Sequence, residues 1–314
     1  MTDRVSRIVF MGSPQFAVPS LQALAAAGHE LVMAVTQPDR PAGRGGRLHP
    51  PPVKVAAEAL GIPVFQPETL RDAPTYERLR AAEADVFVVA AYGKILPQAA
   101  LGIPRRGCLN VHASLLPKWR GPSPIVASIL AGEDLTGVSI MELVRKMDAG
   151  PVISRIEVPI LSDDSAASLE PRLAALGAEE LVRVLPGWVA GERIPRAQDE
   201  AEATYCHLIA KHDGWLRAEM TAAGAERAVR AFNPWPGAFV MYGEHRLSVW
   251  QARVASGEPA PAGTLQVIEK APAIALAEGW LVLEEVQRPG GKRLSAAQFI
   301  AGERGNLLPE AGLG

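Results

Sequence analysis

The sequence predicts an α/β domain built on a doubly wound, mainly parallel sheet, followed by a smaller all-β domain. Three observations predict it. Short apolar runs alternate with longer segments of helical pattern through the first 190 residues, as expected of strands buried on both faces and joined by helices. The stretch 191–203 is polar and irregular. From Thr204 onward, several strand-like runs follow one another closely with no helical segments between them. The expected organisation is therefore a first domain over 1–190, a linker over 191–203 and a second domain over 204–314.

The first strand is RIVFMG. Gly12-Ser13-Pro14 after it predicts a helix start, with Ser13 as N-cap and Pro14 in the first helical position. Leu21, Leu24 and Ala25 supply the buried face of that helix and Gly28 its stop. ELVMAVTQ, IPVFQ, DVFVVAAYG, GCLNVH, GVSIMELV and VISRIEV are the remaining strands of the sheet. Residues 165–190 predict a helix with Leu169, Leu173, Leu176, Leu181 and Leu185 on its apolar side. Beyond the linker, a helical piece at 219–230 precedes AFVMY, RLSVWQARV, GTLQVI, IALA and WLVLEEVQ, each bounded by Gly, Pro or charged turns. Strands spaced this tightly predict a small β-barrel of oligonucleotide-binding type.

Composition narrows the function classes. The 314 residues carry a formal net charge of only −2, so no bulk positive charge marks a nucleic-acid binder, and any contact with a polyanion must be local. The two cysteines, Cys108 and Cys206, lie far apart, which argues against a disulfide scaffold and a zinc site and for a reducing compartment. The apolar run at the start is too short for a signal-peptide core or a membrane span, and a cytoplasmic location is expected. The turn after the first strand lacks the second and third glycines of a dinucleotide fingerprint, and no Walker, H-E-x-x-H, C-x-x-C or G-x-S-x-G motif occurs. No metal is expected.

What remains is a polar set: Asn110, His112 and Asp148. Side chains two apart on a strand share a face, so Asn110 and His112 emerge together where an apolar strand ends. Ligands of open α/β sheets bind beyond the carboxyl ends of the strands, and Asp148 follows GVSIMELV closely enough for its loop to be expected at the same edge. An imidazole can carry a proton during reaction, a carboxylate can orient it, and an asparagine amide can donate to a developing oxyanion. Together these roles describe acyl transfer. The spacing equally fits a turn-forming Asn110, a structural His112 and a helix-capping Asp148.

The segment around this pair resembles the signature of the folate-dependent formyltransferases. Asn110-x-His112 is followed by Ser114-Leu115-Leu116-Pro117, and Asp148-Ala149-Gly150 matches the family's later Asp-x-Gly element. Five further stretches are similar to the branch of the family that acts on charged tRNA: TQPDRPAGRGGRLHPPPVK, VVAAYGKILP, LLPKWRGPSPI, TGVSIM and RAFNPWP, in order along essentially the whole chain. One departure is KHDGWLRAEM, shorter than the acidic and basic stretch common in the family.

The resemblance implies a fold of formyltransferase type and transfer of a formyl group from 10-formyl-tetrahydrofolate to the α-amino group of methionine on initiator tRNA, in support of translation initiation. It implies that Asn110 donates to the formyl oxygen, that His112 assists that charge and shuttles the proton, and that Asp148 holds His112 and helps deprotonate the amine. It implies a pterin site at main-chain atoms near Gly93, Lys94, Ile95 and Leu96, bordered by Ser114, Leu115, Leu116 and Pro117. The loop 36–54 carries Arg40, Arg44, Arg47 and Lys54 against one acid, Asp39. A loop of that length in a compact domain is usually functional or disordered. The resemblance assigns its arginines, Arg44 above all, to the tRNA acceptor end. Neither a membrane nor an obligate protein partner is implied.

Overall fold

The computed structural model describes residues 5–42, 47–303 and 307–314. In chain order the first elements are β1 (Arg7–Gly12), α1 (Val18–Ala26), β2 (Glu30–Val35), β3 (Arg40–Ala42), β4 (Arg47–His49), α2 (Pro52–Ala59), β5 (Val64–Phe65), α3 (Ala73–Ala81) and β6 (Val86–Ala90). There follow α4 (Gln98–Leu101), β7 (Cys108–His112), α5 (Pro124–Ala131), β8 (Leu135–Glu142), β9 (Val152–Pro159) and α6 (Ala166–Ala190). The remainder comprises α7 (Ala222–Ala231), β10 (Ala238–Tyr242), β11 (His245–Ala255), β12 (Leu265–Ile268), β13 (Ala271–Ala275), β14 (Trp280–Gln287), β15 (Arg293–Ser295) and α8 (Ala296–Gly302). Backbone contacts gather the chain into two units: 1–124, 135–159 and 170–207 form the first, and 125–134, 160–169 and 208–314 the second. Among the described residues no helix is long and apolar enough to cross a membrane.

The first unit holds a seven-stranded sheet in the order β5-β2-β1-β6-β7-β8-β9. All seven apolar runs singled out in the sequence are its strands. β5, β2, β1, β6 and β7 are parallel, while β8 runs antiparallel to both of its neighbours. Val86–Ala90 and Cys108–His112 are buried at every position, as expected of central strands covered on both faces. Val9, Met11, Val35, Leu79, Phe87, Val89 and Cys108 are among the residues that make the core on one face. Burial pushes the Cys108 thiol up to about 12, so it packs as a small neutral hydrophobe.

Ser13 corrects one sequence expectation. It caps no helix: a 3-10 turn over Gln15–Ala17 intervenes before α1, with Pro14 still extended. Instead its hydroxyl donates to the Tyr92 carbonyl at 3.2 Å and accepts from the Gln37 amide at 3.0 Å. The chain leaving β1 is thereby tied to the segments leaving β2 and β6, and tertiary bonding at the sheet edge outcompetes local capping.

The second unit carries a six-stranded antiparallel sheet, β10-β11-β14-β13-β12, with β15 paired to β14. Both outer strands meet the chain's last residues. Met241 on β10 exchanges backbone hydrogen bonds with Gly312 at 2.9 and 2.8 Å, and Leu265 on β12 donates to the Pro309 carbonyl at 2.9 Å. The tail therefore joins the two edges and closes the sheet, which is how a small barrel disposes of its unpaired strand edges. Leu216, Val229, Phe232, Val240, Leu281 and Phe299 are among its core residues.

Candidate functional site

Asn110 and His112 sit on one face at the end of β7, 8 % and 6 % exposed. The His112 Nε2 lies 3.0 Å from the Trp119 carbonyl oxygen. A carbonyl only accepts, so Nε2 carries a proton, and in the neutral imidazole the lone pair is on Nδ1. That Nδ1 faces Asp148, whose Oδ1 lies 3.9 Å away, close enough for charge pairing but too long for a direct hydrogen bond. The other carboxylate oxygen of Asp148 accepts from the Gly121 amide at 2.8 Å. The Asn110 carboxamide makes no hydrogen bond to any of the described residues, which leaves its donors open at a nearly closed position beside the imidazole.

Asp148 reaches this place by a different route from the one the sequence suggests. Because β8 is antiparallel to β7, its last residue, Glu142, pairs with Leu109, next to Cys108 at the start of β7, whereas His112 at the end of β7 pairs with Ser139 in the middle of β8. The loop after β8 therefore starts at the opposite edge and must fold back across the sheet to bring Asp148 to His112. Asp148 adopts φ +48, a left-handed conformation that costs an L residue on the order of 1 kcal/mol and needs surrounding structure to hold it.

The expected folate segments follow adjacent parallel strands. Gly93, Lys94, Ile95 and Leu96 come after β6, and Ser114, Leu115, Leu116 and Pro117 after β7. Ile95 is 67 % exposed, an apolar side chain open to a ligand, whereas Leu96 and Leu116 are core residues. Lys94 donates through Nζ to the Pro67 and Glu68 carbonyls at 3.0 and 2.7 Å. Ser114 is fully buried, its hydroxyl bonded to the Lys118 carbonyl and its own carbonyl to the Ser139 hydroxyl at 2.7 Å, which shapes the turn rather than offering a free donor.

The loop 36–54 carries the hairpin β3–β4, with Arg40 paired to His49 and Ala42 to Arg47. Arg40 is exposed. Arg44 and the side chain of Arg47 lie outside the described residues. Lys54, counted with the basic group from sequence, is bound to Asp39, its Nζ 2.8 Å from Oδ2. That bond and one from Gln66 hold the Asp39 carboxyl below its usual range, so this pair fastens the base of the hairpin.

Sequence reasoning missed Arg120 and the residues that meet it from the stretch read as a linker, Gln198 and Glu200. Arg120 is completely buried, yet its guanidinium is satisfied: Nε donates to Gln198 Oε1 at 3.0 Å and the terminal nitrogens to Glu200 at 2.9 and 3.2 Å and to the Tyr205 hydroxyl at 3.2 Å. Lys146 also donates to Glu200, at 2.6 Å. Hydrogen bonds from Arg120 and then Lys146 hold the Glu200 carboxyl down to about 2. A carboxyl depressed on folding contributes stability that is complete above its ordinary value of 4.5 and is lost as pH falls toward 2. Glu200→Gln is accordingly expected to lower the thermal midpoint at neutral pH, with the gap to the unaltered protein closing as pH drops through that window. A pH-independent gap in paired melting curves contradicts the assignment.

Comparison with known proteins shows the family of the chain. Residues 6–185 match the family described as Formyl transferase, and residues 208–304 match Formyl transferase, C-terminal domain. Methionyl-tRNA formyltransferase of Methylococcus capsulatus is 47% identical over 295 residues, covering 94% of this chain and 96% of that protein. The chain belongs to the methionyl-tRNA formyltransferase family. A second family member, from Thiobacillus denitrificans, is also 47% identical over 301 residues, with the same coverage of 94% and 96%. Solved structures share the fold at lower identity. WlaRD, a sugar 3N-formyl transferase crystallised with dTDP and 5-N-formyl-THF, superposes with a TM-score of 0.66 at 16% identity, over 92% of this chain and 100% of that one. HypX from Aquifex aeolicus, in complex with tetrahydrofolic acid, gives 0.63 at 17% identity, over 95% of this chain and 47% of that one.

Proposed function

We propose that this chain transfers the formyl group of 10-formyl-tetrahydrofolate to the α-amino group of methionine on initiator tRNA, in the cytoplasm, at the site formed by Asn110, His112 and Asp148. The observation that carries the reading is the convergence of an unengaged carboxamide, an imidazole fixed in one tautomer and a carboxylate facing that imidazole's lone pair. The neutral amine attacks the formyl carbon through its lone pair, and its nitrogen must shed one proton as the new bond forms. His112 Nδ1 accepts that proton, and the Asp148 carboxylate beside it stabilises the cation so formed. Asn110 and the protonated Nδ1 then donate to the oxygen as negative charge develops on it. As the bond from the formyl carbon to N10 breaks, His112 returns the proton to that nitrogen, so the reaction closes with formylated methionine and tetrahydrofolate.

In this reading residues 1–190 are the catalytic domain, 191–203 the connection and 204–314 the second domain. The folate lies along the segments 93–96 and 114–117, and Arg40, Arg44 and Arg47 meet the tRNA. Neither a membrane nor an obligate protein partner enters the reaction. The test supplies purified protein with 10-formyl-tetrahydrofolate and either methionyl initiator tRNA or an amino-sugar nucleotide. Formyl-methionine on the tRNA is expected; formylation of the sugar alone overturns the reading.

Arg44→Ala is expected to raise KM for charged tRNA by about 10-fold, the scale of one charge-assisted contact. It should also lower the salt dependence of tRNA use by about one unit while folate binding stays unchanged. Unaltered tRNA dependence in steady-state assays at two salt concentrations removes the hairpin from recognition.

A further inference from the structure

The segment 196–206 is bound to Asp148 directly and reaches His112 through Trp119, by separate arms. On one side Gln198 donates through Nε2 to the Asp148 carbonyl at 2.8 Å and to the Gly150 carbonyl at 2.7 Å. On the other the Thr204 hydroxyl accepts from the Trp119 amide at 2.9 Å, and the carbonyl of that same Trp119 meets His112 Nε2 at 3.0 Å. Trp119, like Asp148, has a left-handed backbone, φ +59. Both strained residues are therefore held by one strap. Arg120 joins the arms: its buried guanidinium fixes Gln198 Oε1, so the amide nitrogen must point at the 148–150 turn, and its main chain exchanges hydrogen bonds with Thr204 and Cys206 at 2.9 and 2.8 Å. Glu200 ties Arg120 to Lys146, on the same loop as Asp148. Gly121, at φ +122, allows the approach, since a Cβ there would lie 2.3 Å from the Cys206 carbonyl oxygen.

The need for such a clamp follows from the sheet. The loop after β8 begins at the far edge, and nothing in the strand pairing itself returns Asp148 to His112. We propose that Gln198 is a positioning residue for formyl transfer: oriented by Arg120, it locks the Asp148-Ala149-Gly150 turn in the conformation that aims the Asp148 carboxylate at His112. The proposal rests on the functional reading above and adds to it a residue that touches neither substrate.

Displacing a reacting group by about 1 Å can cost on the order of 100-fold in rate. Gln198→Ala is therefore expected to lower kcat by about 10- to 100-fold with KM for folate and tRNA little changed. Gln198→Glu, which keeps the length and the acceptor for Arg120 but sets an anion against two carbonyls, is expected to do the same and guards against an alanine variant that fails to fold. The decisive measurement is a double-mutant cycle in single-turnover formyl transfer. If Gln198 acts through Asp148, Gln198→Ala costs almost nothing further in an Asp148→Asn background. A loss undiminished in that background, or no loss in the otherwise unaltered protein, overturns the positioning role. Full activity of Asp148→Asn by itself instead overturns the functional reading, so the two failures are distinct.

Discussion

His112→Ala is expected to lower kcat for formyl transfer by about 10²- to 10⁴-fold, the range lost with a positioned general acid–base. Three functions vanish together: acceptance of the amine proton at Nδ1, donation to the developing oxyanion and protonation of the leaving nitrogen. The geometry confines the loss to the chemical step, because the imidazole is 6 % exposed and meets the Trp119 carbonyl and Asp148, not the hairpin proposed to engage tRNA. Binding of charged tRNA, measured by titration, should stay within about 2-fold, a few tenths of a kcal/mol. Turnover within a few-fold of the unaltered protein places the proton transfers elsewhere.

Asn110→Ala is expected to cost about 10²- to 10³-fold in kcat, the scale of one lost oxyanion donor. Its signature separates it from a packing defect. Because the carboxamide has no hydrogen-bond partner among the described residues, removing it orphans no group there, and the shift in stability should stay within about 0.5 kcal/mol. KM should hold, since an interaction made only in the transition state leaves ground-state binding alone. A raised KM at unchanged kcat in steady-state assays would make Asn110 a substrate anchor.

Much of the fold is legible because its physics is local. The seven strands of the first sheet are apolar runs cut off by Gly, Pro or charge, and β10 and β14 coincide with AFVMY and WLVLEEVQ. The direction of β8 is not legible: an apolar strand reads alike in either sense, and its pairing is set by the connection that precedes it. Asn110 and His112 stand out because two residues apart on a strand is a geometric statement. Arg120, Gln198, Glu200 and Thr204 do not, because polar residues in an irregular stretch look solvated until the buried partner that satisfies them is known. β15 and α8 escaped for a simpler reason, being only three and seven residues long.

The most direct test of the central claim is the structure of the complex with a hydrolysis-stable 10-formyl folate analogue. The account predicts the formyl oxygen within about 2.7–3.1 Å of both the Asn110 amide nitrogen and His112 Nδ1, with the open face of the formyl carbon beside Asp148. A formyl group lying against another part of the sheet edge, beyond hydrogen-bond reach of both donors, contradicts it.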